Sequence, residues 1–86
     1  MTLIQHSVNF AWTASTSAVA GYNMYRATSA AGPFTTRLNS SLIATTTYTD
    51  STVQSGQTYF YVATAVDSNN NESVDSSEVS AVIPTP

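Results

Sequence analysis

From Val53 to Ala63 the chain passes an apolar residue, a turn at Gly56 and a tyrosine, Tyr59, that opens a run rich in aromatic and β-branched residues. This is the pattern of a strand entered through a tyrosine corner, in which a phenol bonds upstream backbone and pins the start of a strand in a β-sandwich. Val53, Gly56 and Tyr59 are therefore read as architecture. The same run alternates, with Tyr59, Tyr61, Ala63 and Ala65 on one face and Phe60, Val62, Thr64 and Val66 on the other, because successive side chains of a strand point to opposite sides.

The rest of the chain keeps a period of two and shows no helical stripe, which argues for antiparallel strands around one core. Val8, Phe10 and Trp12 point inward against Ser7, Asn9 and Ala11. Tyr22 and Met24 point inward within residues 21–26, Asn23 and Tyr25 outward, and Gly32 and Pro33 mark a turn. Residues 34–38 read as a short edge strand and 45–49 as the next, with Asp50 beginning the turn toward the corner. The loop 67–72 carries three asparagines, which tolerate left-handed backbone at hairpin tips. In the last strand Val79, Ala81 and Ile83 face inward, and Ser80 and Val82 outward.

With 86 residues there is room for one small domain. The expected boundaries are 1–83 for the domain and 84–86 for the start of a Pro/Thr linker. Such a chain buries about 60–65% of its unfolded surface, and the absence of cysteine rules out disulfides and thiolate metal sites. Charged residues are only 8%, but 42% of the chain is hydrophobic, so it is expected to fold. Two cations, Arg26 and Arg37, against a net charge of −3 cannot neutralise a row of phosphates, which excludes nucleic-acid binding. No apolar stretch approaches the roughly 18 residues of a membrane helix, so no membrane insertion is expected. Serine and threonine make up roughly a third of the residues, which suits exposed strand faces and fits a secreted or cell-surface protein.

The order and spacing of Trp12, the run from Gly21 to Arg26, Tyr48-Thr49-Asp50, the trio Val53, Gly56 and Tyr59, and the final hairpin around Asp67 and Glu72 together resemble a fibronectin type III domain. The likeness is to the bacterial kind found in multidomain extracellular proteins and polysaccharide-degrading enzymes. It implies an all-β, immunoglobulin-like antiparallel sandwich of about seven strands, and Trp12 and Tyr22 join the corner residues as its structural markers. The family's first strand is short or truncated here, since only residues 1–4 precede the turn at Gln5 and His6. The resemblance implies no enzyme and no cofactor. Its expected role is a non-catalytic extracellular spacer or protein-interaction module in a larger exported bacterial protein, with the neighbouring domains of the parent chain as partners.

Catalysis by His6, the single histidine, would need a serine and a carboxylate in one cleft, and a solvated turn residue is the simpler reading. Asp67, Glu72, Asp75 and Glu78 cluster in sequence, but their spacing matches no calcium loop, so no metal site is expected. The Asn39-Ser40-Ser41 and Asn71-Glu72-Ser73 sequons are read as chance. The candidate interaction surface is the outward sheet face carrying Tyr25, Phe60, Val62 and Val82, an apolar patch of the sort that marks contacts. It would take a protein or, in an alternative carbohydrate-binding or adhesive role, a glycan. An unpaired edge next to the first strand would also permit self-association by strand addition.

Overall fold

A computed structural model describes residues 6–14, 19–76 and 78–85. The expected short first strand and the loop at Ser15-Thr16-Ser17 lie outside the described residues, as does Pro86. Six strands follow in order among those described: β1 (Val8–Ala11), β2 (Gly21–Ala27), β3 (Thr36–Arg37), β4 (Thr47–Asp50), β5 (Thr58–Val66) and β6 (Val79–Val82). All pairings are antiparallel, in a two-stranded sheet β1-β4 and a four-stranded sheet β3-β2-β5-β6.

The two sheets face each other through the residues that alternate inward. Met24, Tyr59 and Tyr61 from the larger sheet, with Ile83 just after β6 and Val53, form the buried cluster, and Val8, Phe10 and Tyr48 of the smaller sheet pack against it. Phe10 meets Tyr61 edge-on with ring centroids 4.5 Å apart, and Trp12 meets Tyr22 at 5.4 Å. Edge-to-face contacts suit the quadrupoles of aromatic rings and add about 0.5–1.5 kcal/mol beyond area burial. Tyr61 has no solvent exposure and is the pivot of the core.

Where the chain turns into β5, Gly56 adopts φ +75°, a region costly for side-chain-bearing residues. Its N–H bonds the carbonyls of Ile83 and Pro84, tying the turn to the end of β6. The Tyr59 phenol accepts a hydrogen bond from the Gln54 N–H at 3.1 Å.

Several expectations are corrected. The edge strand is only two residues long, with one further bond from the Leu38 N–H to the Met24 carbonyl at 2.9 Å before the chain leaves the ladder. There the buried Asn39 side chain accepts from the Met24 N–H at 2.9 Å, in place of a backbone partner. The next strand is shifted to Thr47–Asp50, so Asp50, expected to begin the turn toward the corner, ends a strand and is 2% exposed. Val79 is on the inward face but remains 51% exposed, since only two described strands stand opposite the four-stranded sheet.

Candidate functional site

The four proposed surface residues lie on the outer face of β2, β5 and β6, and the register sets their spacing. Tyr25 is directly opposite Val62, Phe60 is opposite Ala27 and Ser80, and Val82 pairs with Thr58, diagonal to Phe60. Tyr25 and Phe60 are half-buried and Val82 is 76% exposed. Val62, however, is 3% exposed and drops out as a contact residue. It lies between Tyr25 and the segment leading into β6, where Glu78 reaches over to accept from the Ala31 N–H at 2.6 Å. Alternation along β5 correctly put Val62 on the outer face, but burial on that face depends on side chains arriving from other segments.

The most organised part of this face is polar. Glu72, on the hairpin that follows β5, lays its carboxylate onto the sheet, where one oxygen, Oε2, accepts from the Tyr25 hydroxyl at 2.5 Å, the Asn23 amide at 3.2 Å and the Thr64 hydroxyl. Asn23 in turn accepts from the Asn39 amide at 2.7 Å, and Asn39 also bonds the Ser41 carbonyl at 2.9 Å. Asn23, Asn39 and Thr64 are all buried, so their polar atoms require these partners. The hydrogen bonds from Thr64, Tyr25 and Asn23 hold the Glu72 carboxyl below its ordinary range, aided by the charge of Arg37. The same bond to Glu72, followed by burial, raises the Tyr25 phenol. The face expected to be an apolar patch is thus a hydrogen-bonded network with Phe60 and Val82 beside it. The Asn39 sequon is closed to modification in the folded domain because its amide is buried and bonded.

A second cluster joins the two sheets, and sequence reasoning missed it. Arg26 of β2 reaches Asp50 of β4 at 3.0 Å and Thr52 at 2.7 Å, and its guanidinium lies 4.8 Å from the centroid of the Tyr59 ring. Asp50 also accepts from the Tyr61 hydroxyl at 2.8 Å and from the Thr52 N–H and hydroxyl at 3.0 and 2.5 Å. Burial alone would raise the Asp50 carboxyl, but the donors from Thr52, Tyr61 and Arg26 outweigh it and hold the group below its usual value. Burial, then the bond to Asp50, pushes the Tyr61 phenol far up. The signal available in the sequence was parity, because Arg26 shares the inward face of Tyr22 and Met24 and an inward arginine needs a carboxylate.

Asp67 is occupied by the N–H groups of Asn69 and Asn71, each at 2.9 Å, within a tight hairpin tip where Asn70 has φ +65°. Glu72 and Glu78 are engaged at separate places, and no three His, Asp or Glu side chains converge among the described residues. His6 is half-buried ahead of β1.

No family model matches the chain. An Fn3-like protein from Clostridium thermocellum, known from its crystal structure, aligns with a TM-score of 0.80 and 34% sequence identity, over 93% of this chain and 79% of that one. An amylopullulanase from Thermoanaerobacter thermohydrosulfuricus is 40% identical over 74 residues, which are 86% of this chain and 5% of the amylopullulanase. The chain therefore spans a small fraction of the length of that curated relative.

Proposed function

Because the chain belongs to the fibronectin type III family, we propose that it serves as a non-catalytic module of a larger exported bacterial protein, spacing neighbouring domains and offering them, or another protein, its outer sheet face. The observation that carries this reading is the relation of a domain-sized chain to 5% of an amylopullulanase, where the matching segment is too small to be the whole enzyme. Two engaged side-chain networks, both directed at holding sheets and hairpin in place, support a structural role. A rigid sandwich sets a distance between its neighbours, which a flexible linker of the same length would not. On this reading residues 1–83 are the domain, residues 84–86 open a linker, the location is outside the cell, and Tyr59 with Val53 and Gly56 serves as the tyrosine corner.

The contact residues we assign are Tyr25, Phe60 and Val82. The test compares the parent protein with a variant in which this domain is replaced by a flexible linker of equal residue number. Small-angle scattering should show the neighbouring domains losing their fixed separation while each keeps its own activity. An unchanged separation would defeat the spacer reading. The glycan alternative rests on the name of the amylopullulanase relative. Retention of the domain on amylose or pullulan gels, abolished by Tyr25→Ser with Phe60→Ser, would favour it over a spacer alone.

A further inference from the structure

Residues 72–76, which lead away from the tip of the last hairpin, are held to β5 in an unusual way. Ordinary antiparallel neighbours exchange backbone N–H and C=O groups in pairs. Here Ser73 and Ser76 donate their N–H groups to the carbonyls of Ala65 and Ala63, both at 2.8 Å. The return bonds, from the N–H groups of Ala65 and Ala63, go to the hydroxyls of Ser73 and Ser76, both at 2.9 Å. Side-chain hydroxyls complete this part of the ladder, and regular backbone pairing resumes only at β6.

Beside an isolated backbone bridge between Glu72 and Val66, the other attachment is the Glu72 carboxylate. Its Oε2 gathers donors from Asn23 and Tyr25 on β2 and from Thr64 on β5, so one atom ties the hairpin to two strands. The titratable and charged groups that face it are Tyr25 from β2 and Arg37 from β3. Asp67, on the same hairpin, is turned to its own loop amides. Ser73, Val74 and Ser76 also line, with Trp12, Tyr22 and Ala63, an open cleft at the end of the core. The Trp12 indole nitrogen is buried there without a hydrogen-bond partner among the described residues, and Val74 is 89% exposed.

We propose that residues 72–76 form a strap latched by the Glu72 carboxylate, which lifts locally off β5 when that carboxylate is protonated and uncovers the Trp12–Tyr22 pair. A carboxylate accepts stronger hydrogen bonds than its neutral acid. Protonation weakens all three ties at once, and few apolar contacts oppose the opening of a segment whose largest apolar side chain already points to solvent. The sign follows from the lowered Glu72 pKa: the latch holds above the ordinary carboxyl range and is lost as pH falls through the folded value.

The test is amide hydrogen exchange on the 86-residue chain carrying Glu72→Gln, at neutral pH, with acrylamide quenching of Trp12, the single tryptophan. Protection of the Ala63, Ala65, Ser73 and Ser76 amides should fall about tenfold or more, as expected when charge-assisted bonds are lost. The β2 amides should keep their protection, and Trp12 should become more accessible to quencher. Tyr25→Phe, which removes one donor, should give the same pattern at smaller amplitude. Unchanged protection in Glu72→Gln overturns the latch, and a parallel loss across all strands overturns the local strap in favour of global destabilisation.

Discussion

Replacing Asp50 by asparagine keeps the shape of the side chain and removes its charge, so it isolates what the carboxylate does between the sheets. In the native domain Asp50 is 2% exposed and accepts four hydrogen bonds, from Arg26, Tyr61 and twice from Thr52. Asparagine retains the oxygen for the Thr52 N–H, and the Tyr61 hydroxyl can rotate to accept from the new amide. Arg26 loses its countercharge, keeping Thr52 and the face of Tyr59 while its side chain is 20% exposed. Breaking a buried pair costs about 3–5 kcal/mol when the remaining charge is fully stranded. Partial hydration of Arg26 places Asp50→Asn at the lower end, about 3 kcal/mol.

A chain of this length has about 4–13 kcal/mol of stability in all, so the loss is a large part of it and corresponds to a fall in Tm of about 12–24 °C. The assay is urea unfolding followed by Trp12 fluorescence, repeated from pH 7 to pH 2. Because the folded Asp50 pKa is lowered, its contribution is fully present above the unfolded carboxyl value of about 3.9. It disappears as pH falls through the folded value, so wild type and Asp50→Asn should converge in acid. Arg26→Met combined with Asp50→Asn should cost less than the sum of the two single changes, since the second substitution removes a charge already unpaired. A loss below about 1 kcal/mol at pH 7, or a gap between the two proteins that stays constant with pH, would refute the inter-sheet role.

Four further outcomes are expected. Tyr59→Phe strips the acceptor from the Gln54 N–H and should cost about 0.5–1.5 kcal/mol in a thermal melt. Val62→Ser should destabilise by about 2 kcal/mol or more because a buried apolar side chain becomes polar. Val82→Ser, at an exposed position, should stay within about 0.5 kcal/mol in the same urea titration. Asn39→Ala should cost about 2–3 kcal/mol, because the buried Met24 N–H and the Asn23 side chain lose their partner. Chemical-shift changes should then centre on β2 and Glu72.

Strand identity was legible because it depends on neighbours in sequence. The alternation through Val8 and Phe10, Tyr22 and Met24, and Tyr59 and Tyr61 matches the inward residues of the two sheets. The positive φ of Asn70 likewise lies within the loop where asparagines were noted. The candidate face was legible only as a face. That Tyr25, Phe60, Val62 and Val82 share it follows from parity and order, but the burial of Val62 is set by tertiary packing, and the bond from Tyr25 to Glu72 depends on a residue arriving from the last hairpin.

By itself the sequence determined an all-β fold with an aromatic core, antiparallel strands, two cations against a net charge of −3 and no cysteine. Those properties follow from composition and from a period of two, both of which are local or additive. Tertiary structure alone decided that Asp50 is buried rather than a turn residue, that Arg26 joins the two sheets, and that one glutamate fastens the last hairpin across two strands. Each of these joins residues far apart in the chain, and the energy of a charge or hydrogen bond is set by what closes around it. No spacing in the sequence encodes that environment.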